Sequence, residues 1–211
     1  MYKTIIFDVD STLCTIEGID ELARMKGVLP QIAPLTQMTM EGKLSLEDVF
    51  SKRLLMIKPS KQDLEKVGEL YCQSFSPHAK EVIADFKQEN KDMFIISGGY
   101  REALLPLANF LGIAEDHVFT NSLLFEENGE YKDFDHMSPL WKENGKKKLI
   151  ESLSLQPKTL LIGDGVSDLE AKDSVDLFVG YGGVQVRQKV KDEAERFIYD
   201  LRDLKKSISN T

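Results

Sequence analysis

Thr4-Ile5-Ile6-Phe7-Asp8-Val9-Asp10-Ser11-Thr12 is the stretch on which the reading of this chain turns. Thr4 to Phe7 is a short run of β-branched and aromatic residues, bounded by Ser11-Thr12, and reads as a buried strand that stops abruptly. Two carboxylates follow at i and i+2. A buried strand cannot hold them, because an unpaired ionised carboxylate is very costly to take out of water. Asp8 and Asp10 are therefore expected just past the carboxyl edge of a sheet, where open α/β folds bind ligands. Two acids this close repel unless one keeps its proton or a cation neutralises them. A divalent ion fits that demand, since Mg2+ takes oxygen ligands from one or two carboxylates plus substrate phosphate. An isolated Asp-x-Asp also has a blander origin, because Asp at a strand end often caps the next helix. The pair needs support from the rest of the chain.

Downstream of this strand the pattern changes. Ile19, Leu22 and Ala23, then Leu46, Val49, Phe50, Leu54 and Leu55, then Leu64, Val67, Leu70 and Tyr71 recur at helical spacing, punctuated by Pro30, Pro34, Gly42 and Pro59-Ser60. Ser60 stands where an N-cap belongs. The spacing predicts a helical insertion over residues 14–76, a cap, within a main domain made of residues 1–13 and 77–211. Past Ser76-Pro77 helices and strands alternate. A helix to about Asn90 is followed by a strand Met93–Ile96, a helix from about Tyr100 to Leu111 and a strand His117–Thr120. Asn128-Gly129 marks a hairpin joining Leu123–Phe125 to Tyr131–Phe134. A Lys-rich helix is expected from about Pro139 to Leu153, strands at Thr159–Ile162 and Leu177–Val179, and tail helices at Val184–Lys191 and from Leu201. Strictly alternating elements imply an α/β fold: a Rossmann-like parallel sheet with helices on both faces, plus the helical cap and a small β-hairpin.

Composition narrows the function. The chain has 211 residues and a net charge of −8 with no basic block, which argues against nucleic acid as a partner. No apolar run approaches the roughly 20 residues that span a bilayer, and no secretory leader is visible; a cytoplasmic protein without membrane contact, monomeric or homodimeric, is expected. Cys14 and Cys72 read as reduced thiols, and His78, His117 and His136 are too scattered for a zinc site.

Three strand ends carry polar, glycine-rich or acidic sequence: Asp8-x-Asp10, Ser97-Gly98-Gly99 and Gly163-Asp164-Gly165-Val166-Ser167-Asp168. In a parallel sheet they share one edge. Ser97, Gly98 and Gly99 can offer a hydroxyl and amide N–H groups to an anion at a helix start, or form only a tight turn. Asp164 is a further candidate metal ligand and Asp168 a partner to it. One Lys of Lys146-Lys147-Lys148 is a candidate cation for phosphate charge.

With these motifs in hand the chain resembles the haloacid dehalogenase superfamily of phosphatases, and within it the branch acting on phosphoserine. The motifs stand as Phe7-Asp-Val-Asp-Ser-Thr12, Ile95-Ile-Ser-Gly-Gly99, Gly145-Lys146 and Gly163-Asp-Gly-Val-Ser-Asp168; Glu17-Gly-Ile-Asp-Glu-Leu-Ala23, Arg53-Leu, Asn128-Gly-Glu-Tyr131 and Val186-Arg-Gln-Lys-Val-Lys-Asp192 extend the likeness. The resemblance implies a Mg2+-dependent phosphoric monoester hydrolase that converts phosphoserine to serine and phosphate, the last step of serine biosynthesis. It implies Asp8 as nucleophile, Asp10 as acid then base, and Mg2+ held by Asp8, the backbone carbonyl of Asp10, and Asp164. It assigns Ser97, Gly98, Gly99 and Lys146 to the phosphate and Asp168 to orienting Lys146 or the metal shell. Glu17 and Arg53 would take the substrate's ammonium and carboxylate, with Met40, Ser167 and Arg187 on the substrate side. Glu41, His78 and Ser122 depart from the branch, and a carboxylate at position 41 beside an anionic substrate would repel it. Two other readings stay open: the same chemistry on another small phosphate ester or with transfer to an alcohol, and a catalytically silent ligand-binding member.

Overall fold

The computed structural model describes residues 2–209. Its centre is β1 (Thr4–Phe7), whose four residues are all buried. β1 pairs in parallel with β2 (Asp92–Tyr100) on one side and β6 (Thr159–Gly163) on the other. β3 (Val118–Asn121) lies outside β2, while β7 (Leu177–Tyr181) and β8 (Arg196–Ile198) lie outside β6. The six-strand order β3-β2-β1-β6-β7-β8 is parallel throughout. The chain winds away from β1 in both directions, so the strand order reverses there, and ligand crevices open at such a switch point. β4 (Leu123–Phe125) and β5 (Tyr131–Phe134) form the separate antiparallel hairpin.

Alternation along the strands decides which side chains meet which helices. Ile5, Phe7, Ile95, Leu160, Ile162 and Val179 join one buried cluster, whereas Ile6, Phe94, Ile96, Leu161 and Phe178 join the other, under Ile150, Leu169 and Val190. The first cluster continues into four helices inserted after β1: α1 (Gly18–Met25), α2 (Leu29–Met40), α3 (Leu46–Ile57) and α4 (Lys61–Tyr71), through Leu22, Ile32, Phe50, Leu54, Leu64, Val67 and Tyr71. α4 starts with a reciprocal cap: Ser60 N donates to Asp63 Oδ2 at 2.8 Å, and Asp63 N donates to Ser60 Oγ at 3.3 Å.

The structure departs from the sequence reading in several places. The insertion holds four helices where the apolar spacing marks three, because α2 runs through Pro34. Pro30 sits at the start of α2 and Pro34 in its second turn, where one backbone hydrogen bond is lost and the helix still buries Ile32, Thr36 and Thr39. The Lys-rich helix begins at Gly145 rather than near Pro139. β8 is unforeseen: three residues at a sheet edge leave too short a pattern to read. The tail helices sit later, at Gln188–Glu193 and Asp203–Ser209.

Candidate active site

Register carries the first acid to the switch point. Phe7 lies opposite Ile95 on β2 and Ile162 on β6, so Asp8 emerges between the ends of both neighbours, its amide donating to Ile162 O at 3.0 Å. Ser97-Gly98-Gly99 ends β2 on one side. On the other, Asp164 follows β6 and Asp168 lies on α8 (Val166–Glu170). One carboxylate oxygen from each of Asp8, Asp164 and Asp168 falls within 4.8 Å of the others, a set of buried acids able to hold a metal ion.

Three buried acids need charge compensation. Lys146, in the first turn of α7 (Gly145–Ser152) and 4% exposed, supplies part of it. Its Nζ donates to Asp8 Oδ1 at 3.0 Å and to Asp168 Oδ1 at 2.5 Å. Burial alone would lower the ammonium's pKa, but Asp168 and Asp8 outweigh it and hold the group protonated. Asp168 Oδ2 accepts from Gly165 N at 3.0 Å. The carboxyl group of Asp168 occupies space that only a glycine at 163 leaves, since a Cβ there would stand 2.1 Å from Asp168 Cγ. Arg187 supplies the second cation: Nε donates to Asp164 Oδ2 at 2.8 Å and a terminal nitrogen to Glu17 Oε1 at 3.2 Å. Thr12 Oγ1 donates to Asp164 Oδ1 at 3.0 Å. Burial pushes Asp164 up to about 6, against the pull of Arg187, and burial pushes Asp168 up to about 7.

Asp10 takes no part in that triad through its side chain. Its Oδ1 accepts from Gly18 N at 2.9 Å and from Tyr71 Oη at 2.5 Å. Burial pushes its carboxyl up to about 7; the Tyr71 hydrogen bond works against the shift and the charge of Asp8 adds to it. An acid with a pKa near neutrality can both give and take a proton.

A cavity with about 70 Å3 of free space lies over these groups. Asp8, Asp10, Ser97, Gly98 and Gly99 line it from the sheet, Glu17, Met40 and Arg53 from the helical insertion, and Ser167 from α8. Ser97 Oγ accepts from Gly99 N at 3.1 Å, and Gly98 O accepts from Asn121 Nδ2 at 2.9 Å, which fixes the loop. Arg53 is 5% exposed; one terminal nitrogen reaches Thr36 Oγ1 at 3.4 Å and its Nε is buried without a partner. Glu17 is driven well above the usual carboxylate range by burial and by Asp10 and Asp164, while Ser11 Oγ donates to it at 2.7 Å.

Every residue marked as a site candidate from sequence is thus within one connected region. Glu41 stays outside the cavity lining and binds Lys43 at 2.5 Å and Gln37 at 3.0 Å. His78 has φ 65, a left-handed conformation suited to Gly, just ahead of α5 (Ala79–Gln88). Ser122 O accepts from Asp135 N at the hairpin base. Tyr71 and Thr12 escape the sequence reading as functional groups. Tyr71 occupies an apolar helical position, and nothing in that spacing says its hydroxyl reaches a carboxylate 61 residues away.

Comparison with known proteins gives matches over most of the chain. A family model for haloacid dehalogenase-like hydrolases matches residues 2–172. A phosphoserine phosphatase of Mus musculus is 38% identical over 203 residues, covering 95% of this chain and 90% of its own. Among solved structures, a phosphoserine phosphohydrolase-like protein of Francisella tularensis superposes with TM-score 0.87 at 26% identity, covering 98% of this chain and 99% of that one. A phospho-aspartyl intermediate analogue of a phosphoserine phosphatase superposes with TM-score 0.84 at 28% identity, covering 98% of both chains. No helix among the described residues is long and apolar enough to cross a membrane.

Proposed function

This chain belongs to the haloacid dehalogenase-like hydrolases, and from that premise we propose that it hydrolyses phosphoserine to serine and phosphate through an aspartyl-phosphate. The observation that carries the reading is one cavity bounded by Asp8, by the Ser97-Gly98-Gly99 loop and by a buried, under-partnered Arg53.

Asp8 is the nucleophile. Lys146 anchors its Oδ1, which holds the side chain against the sheet edge as it bonds to phosphorus and the ester oxygen leaves. Asp10 gives that oxygen a proton, then removes one from the water that cleaves the acyl phosphate. Ser97, the amide of Gly98, and Lys146 hold the phosphoryl oxygens, and the Gly99 amide holds Ser97 Oγ in place. Asp168 positions Lys146. The family's metal dependence suits the buried acids Asp8, Asp164 and Asp168. We assign Mg2+ to Asp8, Asp164 and the Asp10 carbonyl, where it would neutralise charge on the transferring phosphoryl group.

Arg53 takes the substrate carboxylate, for which a guanidinium offers two parallel donors. Glu17 takes the ammonium, whose charge would draw the acid back into its ionised form. Met40 and Ser167 complete the walls, while Arg187, which does not line the cavity, acts on it through Asp164 and Glu17. Residues 14–76 act as a cap whose closure excludes water, and the protein works in the cytoplasm as a monomer or homodimer.

Turnover of phosphoserine, phosphothreonine and phosphoethanolamine, with and without Mg2+, tests this. Phosphoserine should be preferred, and Arg53→Ala should raise its KM at least tenfold while leaving phosphoethanolamine, which lacks a carboxylate, nearly unaffected. A wild-type preference for phosphoethanolamine would remove Arg53 from its assigned role.

A further inference from the structure

Asp10 carries two hydrogen bonds on a single oxygen. Tyr71 Oη and Gly18 N both donate to Oδ1, at 2.5 and 2.9 Å. The second oxygen faces the Ser97-Gly98-Gly99 loop: a Cβ built on Gly99 would stand 3.6 Å from Asp10 Oδ2. Asp10 itself lines the cavity with Asp8 and Gly99; with Oδ1 taken by Tyr71 and Gly18, Oδ2 is the oxygen left on the loop side.

Tyr71 is built into place. It ends α4, is 1% exposed, and its carbonyl accepts from Ser74 N at 3.2 Å and Cys14 Sγ at 3.5 Å. The hydroxyl arrives through a gap that exists only because residue 18 is glycine, since a Cβ there would lie 2.1 Å from Tyr71 Oη. The helical insertion thereby reaches the proton donor of the sheet domain directly.

A neutral carboxyl group has one accepting oxygen and one that carries the proton. An oxygen that already accepts an O–H and an N–H is the accepting one. We propose that Tyr71 is a positioning residue for Asp10: with the Gly18 amide its hydroxyl locks the carboxyl group so that Oδ2 alone faces the reacting phosphoryl group and carries the transferred proton. This rests on the reading of Asp10 as acid and base given above. The proton passes from Oδ2 to the ester oxygen while the phosphorus–ester bond breaks and the Asp8–phosphorus bond forms, leaving Asp10 ionised. In the second half-reaction the same Oδ2 takes a proton from water as the oxygen of that water bonds to phosphorus and Asp8 departs.

Tyr71→Phe keeps the ring in its slot and removes only the hydroxyl. Release of the first product is followed with enzyme in excess, using phosphoserine and p-nitrophenyl phosphate in parallel. An alkoxide leaves only with a proton, whereas nitrophenolate leaves without one. The rate constant for serine release should fall about tenfold or more, the loss expected for a hydrogen bond to an ionising group, with KM changed less than about twofold. Nitrophenol release should change less than about threefold. Gly18→Ala, which drives a methyl group into Tyr71 Oη, should reproduce this selective loss and decides the matter if Tyr71→Phe does not fold. Equal losses on both substrates, a change confined to KM, or no loss would overturn the proposal. If the wild-type enzyme does not turn over phosphoserine, the substrate reading fails, and the same comparison on whichever alkyl phosphate it does use still tests Tyr71.

Discussion

Replacing Lys146 by Met probes how the buried charge is balanced. The side chain is 4% exposed, and its Nζ bridges Asp8 and Asp168 at 3.0 and 2.5 Å. At an effective dielectric of ~20, each contact is worth about 6 kcal/mol of Coulomb attraction before desolvation is counted. Most of that offsets the burial of the charges, but removing one partner strands the other, at a net cost of about 3–5 kcal/mol. Met refills the volume, so little of the loss is packing. For a chain of this length each kcal/mol corresponds to roughly 2–4 °C, so melting of the metal-chelated variant should fall by about 6–20 °C. Adding Asp168→Asn should recover part of the loss, because one stranded carboxylate is gone. Saturating Mg2+ should stabilise the single variant more than the wild type, since Lys146 no longer competes for Asp8. Turnover should drop at least about 100-fold, as for loss of one preorganised charge at a transition state. The measurements are thermal unfolding with EDTA or Mg2+ and steady-state kinetics on phosphoserine. A melting temperature unchanged within 2 °C in EDTA would refute the assignment of Lys146 as the cation that balances this cluster.

Other consequences are checked as simply. Asp8→Asn should abolish turnover below one part in about 1,000 while raising the melting temperature in EDTA, because it relieves repulsion among buried acids; residual turnover near wild type would exclude a covalent route through Asp8. Removal of divalent metal should stop catalysis, and Mg2+ should restore it, as read by phosphate release after dialysis against EDTA. The metal-free protein should lose stability as pH rises from about 4 to about 7, and level off above that. Burial raises Asp164 to about 6 and Asp10 and Asp168 to about 7, so the folded state holds protons that the unfolded state has released, and stability declines with pH until those groups ionise. Melting scans from pH 5 to pH 8 should show that decline in EDTA, and Mg2+, which favours the ionised carboxylates, should flatten it. Asp63→Asn should cost about 1 kcal/mol at neutral pH, because it removes the charge that strengthens the reciprocal cap on α4 and pairs with Lys26. Since Ser60 and Lys26 hold Asp63 below its usual range against partial burial, that difference should shrink as pH falls through the acid end, visible in urea titrations.

Strand and helix alternation, the hairpin at Asn128-Gly129 and the three polar strand ends are all local patterns, and they were readable without coordinates. A parallel sheet puts strand ends on one edge by geometry alone, which is why Asp8, Ser97 and Asp164 could be brought together from sequence. Local patterns fail where tertiary burial outweighs them. Pro34 reads as a break, yet α2 continues because its buried face is worth more than one missing hydrogen bond. β8 is too short to signal itself and forms because β7 offers an open edge. The orientation of each carboxylate is likewise a tertiary matter. Asp8 and Asp10 are two residues apart, yet one meets Lys146, 138 residues away, and the other meets Tyr71, 61 residues away. Spacing along the chain says which acids stand near the site; only long-range packing decides which cation, amide or hydroxyl each oxygen faces, because those partners come from elements the sequence does not order in space.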